Sequence, residues 1–287
     1  MGDHDTAAEL EHRAAREPPH PATPTVDPSH DDVMAALVRR GFAEVSRARL
    51  DLPFDADHFP EAGQRRLVEA LRHYAFRLFL RGAIQHPDGF SPEDATRFLD
   101  GGHARDLCAS LVALGLAVPR EDGRFALTHP PNSFGSTLEW YIGRELQGRL
   151  RFAVSIGVKF HAPGVGGDLD VVAMADGRLV YVELKSSPPK HLQAPEVGAF
   201  FDRVRALRPD VTVFAVDTAL RLGDRVIPLL DEVRQGRGGA FTPARRVERE
   251  LWALTPHIFV VNARPDLFAN VARAIAEGLR ALSPEAP

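Results

Sequence analysis

The sequence lacks the features that define several large classes of protein. Its 287 residues contain one cysteine, Cys108, which excludes a disulfide framework and a zinc site built from cysteines. No apolar run approaches the roughly 18–20 residues that a membrane-spanning helix needs. Residues 1–26 are polar and proline-rich, without the apolar core of a signal peptide. We therefore expect a cytoplasmic protein that has no membrane partner.

The motifs of several enzyme classes are missing as well. No Gly-x-Gly-x-x-Gly follows a predicted strand, and the sequence contains neither a Walker lysine motif nor Gly-x-Ser-x-Gly. The glycine-rich segment 164–167 leads into a predicted strand, so it lacks the helix dipole that binds phosphate. These absences argue against a dinucleotide enzyme, a P-loop nucleotidase and a serine hydrolase.

Lysine is scarce, and the acidic charge is unevenly spread. Only Lys159, Lys185 and Lys190 among the 35 basic residues are lysines. The net charge of −4 argues against nucleic acid as a partner, but residues 1–59 alone hold 12 acidic residues against six arginines. Arginines cluster within residues 234–249 (Arg234, Arg237, Arg245, Arg246 and Arg249). This cluster indicates either a solvated surface or a contact for backbone phosphates.

The chain divides into three predicted regions. Residues 1–30 are poor in apolar residues and predict a disordered tail. Residues 31–130 predict a mainly helical domain, and residues 131–287 predict an α/β domain.

The helical region resembles a winged helix-turn-helix. Apolar spacing predicts helices over 31–49 and 62–84, followed by a helix that Ser91 caps and that ends at Asp100. A further helix over 103–114 and a hairpin over 116–128 complete the pattern. The 103–114 helix carries one arginine, Arg105, so contact with DNA and packing against protein both stay open.

Residues 131–287 show strand and helix patterns in alternation. These patterns predict strands that alternate with helices around a central mixed sheet. The predicted helices are 136–148, 194–207, 224–235 and 265–282, and the strands outside the hairpin described next are 150–160, 211–216 and 257–261.

One predicted hairpin contains the candidate catalytic and metal-binding residues. Asp176-Gly177 is a two-residue turn signal, and pairing the strands outward from it places Asp170 opposite Glu183. Lys185 follows on the same face, opposite Asp168. Directly opposed carboxylates repel each other, and a divalent cation such as Mg²⁺ or Mn²⁺ relieves that repulsion. The pattern therefore predicts a metal site with Lys185 beside it, able to activate water at a phosphodiester.

The segments Gly-Asp-Leu-Asp-Val-Val at 167–172 and Val-Tyr-Val-Glu-Leu-Lys-Ser-Ser at 180–187 resemble the PD-(D/E)XK nuclease superfamily, closest to its RecB-like and Holliday-resolvase-like branches. The resemblance covers residues 134–220 and implies a restriction-endonuclease-like core. It implies that Asp170, Glu183 and the backbone carbonyl of Leu184 bind the metal, with Lys185 as the catalytic lysine. It also suggests Glu139 as a further ligand, with Glu145 as the alternative.

Other residues are weaker candidates for binding substrate. They follow the hairpin along the chain and comprise Ser186, Ser187, Lys190 and Gln193, of which only Gln193 matches a family position. The expected activity is metal-dependent endonucleolytic hydrolysis of DNA in defence, repair or mobile-element processing, by a chain that is a candidate homodimer. The alternatives are an inactive nuclease-fold regulator that binds DNA or protein, and a nuclease that acts on RNA.

Overall fold

The computed structural model describes residues 28–162 and 164–282. The predicted disordered tail, residues 1–30, lies outside the described residues except for its last three, which begin helix α1. The α-helices are α1 Pro28–Arg39, α2 Glu61–Arg72, α3 Tyr74–Ile84, α4 Pro92–Ala95, α5 Gly101–Ala113, α6 Gly135–Leu150, α7 Ala194–Leu207, α8 Val226–Gly236 and α9 Leu267–Leu282. The strands are β1 Ala43–Arg47, β2 Ala117–Pro119, β3 Phe125–Leu127, β4 Ala153–His161, β5 Leu169–Ala175, β6 Arg178–Lys185, β7 Val211–Val216, β8 Arg245–Glu248, β9 Leu251–Thr255 and β10 Ile258–Asn262.

A mixed sheet of eight strands lies at the centre of the fold, in the order β1-β4-β5-β6-β7-β10-β9-β8. Strands β6, β7 and β10 run parallel, and the other neighbouring pairs are antiparallel. Apolar side chains of α2, α3, α6 and α9 pack in the core on one face of the sheet, and those of α1, α7 and α8 pack on the other. The predicted mixed sheet flanked by helices is confirmed.

The apolar patterns of the sequence account for strand β7 and helix α7. The run Val211–Val216 is buried at every position, as expected for a strand covered on both faces. Helix α7 begins and ends where its apolar spacing predicted, at Ala194 and Leu207. Its inner residues Val197 and Phe200 pack against the sheet.

Three predicted helices differ from the observed ones. The pattern over 62–84 is two helices, because His73 adopts an extended backbone (φ −81°, ψ 120°) between α2 and α3. Ser91 caps a helix through Asp94, but that helix ends at Ala95, since Thr96 is extended. The predicted helix over 31–49 ends at Arg39, and the chain continues into β1.

The first described elements contact the large sheet. Strand β1 pairs with β4, and Val33 and Leu37 of α1 pack in the same core as β5 and β6. The predicted division of the chain into domains stays a prediction. The helical module contains α2 to α5 and the small β2–β3 sheet, and its winged-helix assignment also stays a prediction.

Among the helices of the described ranges, none combines the length and the apolar character needed to cross a membrane.

Candidate active site

The β5–β6 hairpin has the register that the sequence predicts. Cα partners run from Ala175 and Arg178 beside the turn to Val171 and Val182. Asp176 and Gly177 both have positive φ (50° and 76°), the backbone that a tight two-residue turn requires. Asp170 and Glu183 are the next residues outward, so the turn chemistry brings the two carboxylates together at the edge where β6 ends.

Glu183 is 1% exposed and is surrounded by donors. Arg203 Nη2 lies 2.7 and 2.8 Å from its two carboxylate oxygens, and Lys185 Nζ lies 2.9 Å from Oε1. The hydroxyl of Tyr181 donates a third contact. Burial would raise the pKa of Glu183, but Lys185 and Arg203 outweigh it and hold this pKa below its ordinary value. Glu183 is therefore ionised.

Asp170 has far less compensation. Its Oδ2 accepts the backbone N–H of Leu184 at 2.7 Å, which fixes the carboxylate beside β6. Desolvation, together with the charges of Glu183 and Glu139, raises the pKa of Asp170 well above its ordinary value. An added cation beside Asp170 would stabilise the ionised form of its carboxylate.

Glu139, on the first turns of α6, is the helix glutamate that joins the site. Burial and the nearby carboxylates of Glu183 and Asp168 raise its pKa to about 7. Glu145, the alternative candidate, is instead ion-paired to Arg72 at 2.9 Å and to Arg149 at 3.2 Å. The structure thus brings Glu139 to Asp170 and Glu183 and assigns Glu145 to a separate ion pair.

Lys185 lies on the same face as Glu183 and keeps its proton. Burial would lower its pKa, but the carboxylate of Glu183 outweighs burial and raises it. A second carboxylate, Glu196 on α7, lies 4.0 Å from Nζ. Lys185 is therefore a fixed positive charge at the mouth of the site.

Sequence reasoning missed Arg203 and Tyr181. Arg203 Nε donates a hydrogen bond to the Tyr181 hydroxyl at 3.0 Å, and Arg203 Nη1 donates one to the Gly166 carbonyl at 3.3 Å. The available signal was helical spacing, because Arg203 lies three residues after Phe200 and four before Leu207 on the buried face of α7. A charged residue at such a position requires a buried partner, and that partner is Glu183.

Three of the four weaker candidates line one cleft. Ser186, Ser187 and Lys190 border a space of about 820 Å³ between the helical module and the loop after β6. Arg81 of α3 and Ser133, before α6, line its other side. The cleft begins one residue after Lys185, so its polar groups adjoin the candidate site.

Gln193 lies apart from this cleft lining. It is exposed at the start of α7, where its backbone N–H donates to Glu196 at 3.0 Å. Asp168 is also exposed, next to β5, and it acts on the site through its charge on Glu139.

A divalent cation fits the donor chemistry of the site. Asp170 and Glu139 are oxygen donors whose pKa values are raised by burial and by neighbouring carboxylates, and a hard cation would remove this penalty. Within residues 28–162 and 164–282, no three carboxylate, imidazole or thiolate groups form a ready cage for a metal. Glu183 instead faces Arg203 and Lys185.

No family model and no curated protein matches the sequence. The solved structures that match this chain include the following two. Protein VC1899 from Vibrio cholerae has a TM-score of 0.49 and 13% identity, over 84% of this chain and 60% of that one. Can2 from Sulfobacillus thermosulfidooxidans, in complex with cyclic tetra-adenylate, has a TM-score of 0.45 and 17% identity, over 85% of this chain. This chain spans 60% of the length of each of the two proteins.

Proposed function

We propose that the protein is a divalent-metal-dependent nuclease that hydrolyses DNA phosphodiester bonds. The observation that carries the proposal is the convergence of Asp170, Glu183 and Lys185 at one edge of the sheet, with Glu139 beside them. The raised pKa values of Asp170 and Glu139 support a cation as the missing partner.

In this proposal Asp170, Glu183, Glu139 and the Leu184 carbonyl hold Mg²⁺ or Mn²⁺. The bound ion supplies Lewis-acid chemistry, which polarises the phosphate and activates water. Lys185 Nζ retains its proton, because the pKa of Lys185 is raised, and it stabilises the negative charge that develops on the phosphate. Arg203 keeps the buried Glu183 ionised and oriented.

In this proposal the adjoining cleft orients the DNA strand. Ser186 and Ser187, which follow Lys185 directly along the chain, offer hydroxyl donors, and Lys190, three residues after Ser187, offers a positive charge. These groups suit the oxygens of a neighbouring phosphate.

Plasmid cleavage in Mg²⁺ or Mn²⁺ tests the proposal. We expect Asp170→Asn, Glu183→Gln and Lys185→Met each to lower the rate by on the order of 10²–10³-fold. Lys159→Met, at an exposed lysine of β4, and Glu232→Gln, at an exposed carboxylate of α8, are matched controls. Equal cleavage by the wild type and all three site variants would overturn the proposal.

A second candidate function is a nuclease-fold protein that binds nucleic acid or protein without cutting. The contact of Arg203 with both oxygens of Glu183 favours it, because this carboxylate is already neutralised without a metal. Thermal unfolding with increasing Mn²⁺ discriminates the two, since only a metal-binding site gives a concentration-dependent rise of Tm that Asp170→Asn removes.

The nucleic acid itself is tested by a substrate panel. Duplex DNA, single-stranded DNA, a four-way junction and RNA are compared under the same metal conditions. Preferred cleavage of DNA supports the proposal, and cleavage of RNA alone replaces it with a ribonuclease.

A further inference from the structure

Four arginines converge on a second pocket, at the end of the sheet away from β1. It encloses about 490 Å³ and is lined by Arg221, Arg246, Arg249 and Arg264 around Trp252. The guanidinium of Arg246 lies over the Trp252 ring, 5.9 Å from its centroid. A pocket of this composition offers planar donors and an aromatic wall, which suits a phosphate group and its attached sugar or base.

The positive charge of this pocket is only partly offset by acidic groups among the residues that the structure describes. None of its four guanidinium groups forms an ion pair with the described residues, whereas the nearby Arg234 is paired to Asp231 at 2.9 Å. Two acidic residues, Asp224 and Glu250, also line the pocket. Glu250 accepts the Leu222 backbone N–H at 3.1 Å and so holds the local loop together. The four arginines therefore leave an excess of positive charge.

The pocket and the candidate active site lie on one face of the sheet. Glu183 is the Cα partner of Phe214, which is the partner of Val260. Val260 in turn pairs with Trp252, and Trp252 pairs with Arg246, so a single row of side chains joins the two sites. The row spans the four steps between β6 and β8, or about 19 Å at about 4.8 Å a step.

Two further cations lie between the sites. Arg225, just before α8, donates to the carbonyl of Pro189 at 3.0 Å and to that of Lys190 at 3.2 Å. Both Lys190 and Arg225 are exposed. A positive track thus runs from the loop after β6 to the arginine pocket.

We propose that this pocket binds a backbone phosphate of duplex DNA that extends from the active site. At 3.4 Å per base-pair step, a separation of about 19 Å places the bound phosphate about five or six steps from the reacting one. The proposal rests on the proposed function for the identity of the reacting site, but the binding it describes does not depend on cleavage.

The test is fluorescence anisotropy with a labelled 20-base-pair duplex in EDTA, over a series of salt concentrations. The double variant Arg249→Gln with Arg264→Gln is compared with Arg245→Gln with Arg280→Gln. Arg245 and Arg280 are matched controls on the other side of the sheet: Arg245 lies next to Arg246 on β8 and so faces that side, and Arg280 is exposed on α9, which packs there. We expect the pocket variant to bind on the order of tenfold more weakly, with a salt slope lower by about two, and the control to bind as the wild type does.

Equal weakening in both double variants would overturn the proposal, since charge alone would then explain binding. It is also overturned if the pocket variant binds the duplex normally but loses binding of inorganic triphosphate, or if only duplex RNA depends on the pocket. Arginine-dependent binding of the duplex by a protein that does not cleave it would retain this subsite and reject the nuclease function.

Discussion

Arg203 and Lys185 together set the charge state of the candidate active site, Arg203 through a buried ion pair with Glu183. The side chain of Arg203 is 9% exposed and Glu183 is 1% exposed, so both charges depend on each other for compensation. Lys185 also contacts Glu183, but through a single oxygen. Removing Arg203 leaves Lys185 to compensate a carboxylate whose ionised form burial disfavours.

We expect Arg203→Met to destabilise the fold by less than about 3–5 kcal/mol, the cost of leaving one partner of a buried ion pair alone, because Lys185 still contacts Glu183. Chemical denaturation followed by circular dichroism measures this loss. Arg205→Met is the matched control, because Arg205 is 75% exposed on the same helix and its pair with Asp202 contributes little. A loss for Arg203→Met as small as that of the control would contradict the role assigned to this pair.

Glu139 makes stability depend on pH in a defined direction. Its pKa rises from 4.5 to about 7 on folding, so the folded chain binds more protons than the unfolded chain between those values. Stability must then fall as pH rises from 4.5 to 7. We expect Glu139→Gln to raise Tm at pH 8 by about 2–4 °C, the shift that about 1 kcal/mol produces in a chain of this size.

The gain of Glu139→Gln should be mostly lost near pH 4.5, where the carboxyl of Glu139 is protonated in the folded state and half protonated in the unfolded state. Differential scanning calorimetry at the two pH values measures both shifts, with Glu232→Gln as the exposed control. A Tm difference independent of pH would show that the carboxyl of Glu139 is not perturbed.

The sequence determines part of this site directly and leaves part of it to tertiary packing. Asp170 and Glu183 were predictable as neighbours because a two-residue turn sets the register between them. Arg203 lies 20 residues after Glu183 on another element, so their contact depends on how α7 packs on the sheet. Helical spacing indicated that Arg203 faces inward, but not which acid it meets.

At the scale of elements, the β5–β6 turn holds the two carboxylates in register. A shift of one residue would turn the inward-facing side chains of a strand to its opposite face. Gly177 has φ +76°, and a Cβ placed there meets no atom within 4 Å, so backbone strain alone opposes a larger residue.

Gly177→Ala should therefore destabilise the protein by about 1–2 kcal/mol, the cost of a left-handed conformation for a residue with a Cβ. Gly148→Ala is the matched control, since Gly148 lies in α6 with open space around it and without positive φ. That control should stabilise the protein by about 0.5–1 kcal/mol. Urea titration of both variants measures the two signs, and a loss in both would contradict the assignment to turn strain.

The two strands at the edges of the large sheet could not be predicted from the sequence, for a physical reason. Strands β1 and β8, at the two ends of the large sheet, are mostly exposed and carry polar residues at consecutive positions. They lack the alternation that signals a half-buried strand, and they form only because β4 and β9 offer unpaired backbone groups. The central strands β5, β6, β7 and β10 were predicted from their apolar runs, whereas β9, next to β8, was missed as well.

At the scale of the whole molecule, buried contacts join the helical module to the sheet. Arg77 of α3 is 1% exposed and lies 2.9 Å from Asp217, which follows β7. Arg81 reaches the other oxygen of Asp217 at 2.6 Å. One continuous core also contains Phe79 of α3 and Phe268 of α9. These contacts predict that the module and the sheet unfold together.

Helix α1 tests this cooperativity from the other face of the sheet. Leu37 is fully buried against the sheet, so we expect Leu37→Ala to cost about 2–5 kcal/mol. Val38, 59% exposed on the same helix, is the matched control, and Val38→Ala should change stability by less than about 0.5 kcal/mol.

The two tryptophans report on separate regions, because Trp140 of α6 contacts Phe54 edge-on while Trp252 lies on β9. Denaturation of Trp140→Phe and Trp252→Phe backgrounds should show that Leu37→Ala moves both fluorescence transitions by the same amount. A shift confined to the Trp252 signal would mean that the region of α6 around Trp140 unfolds independently of β9, and it would contradict the cooperative unfolding.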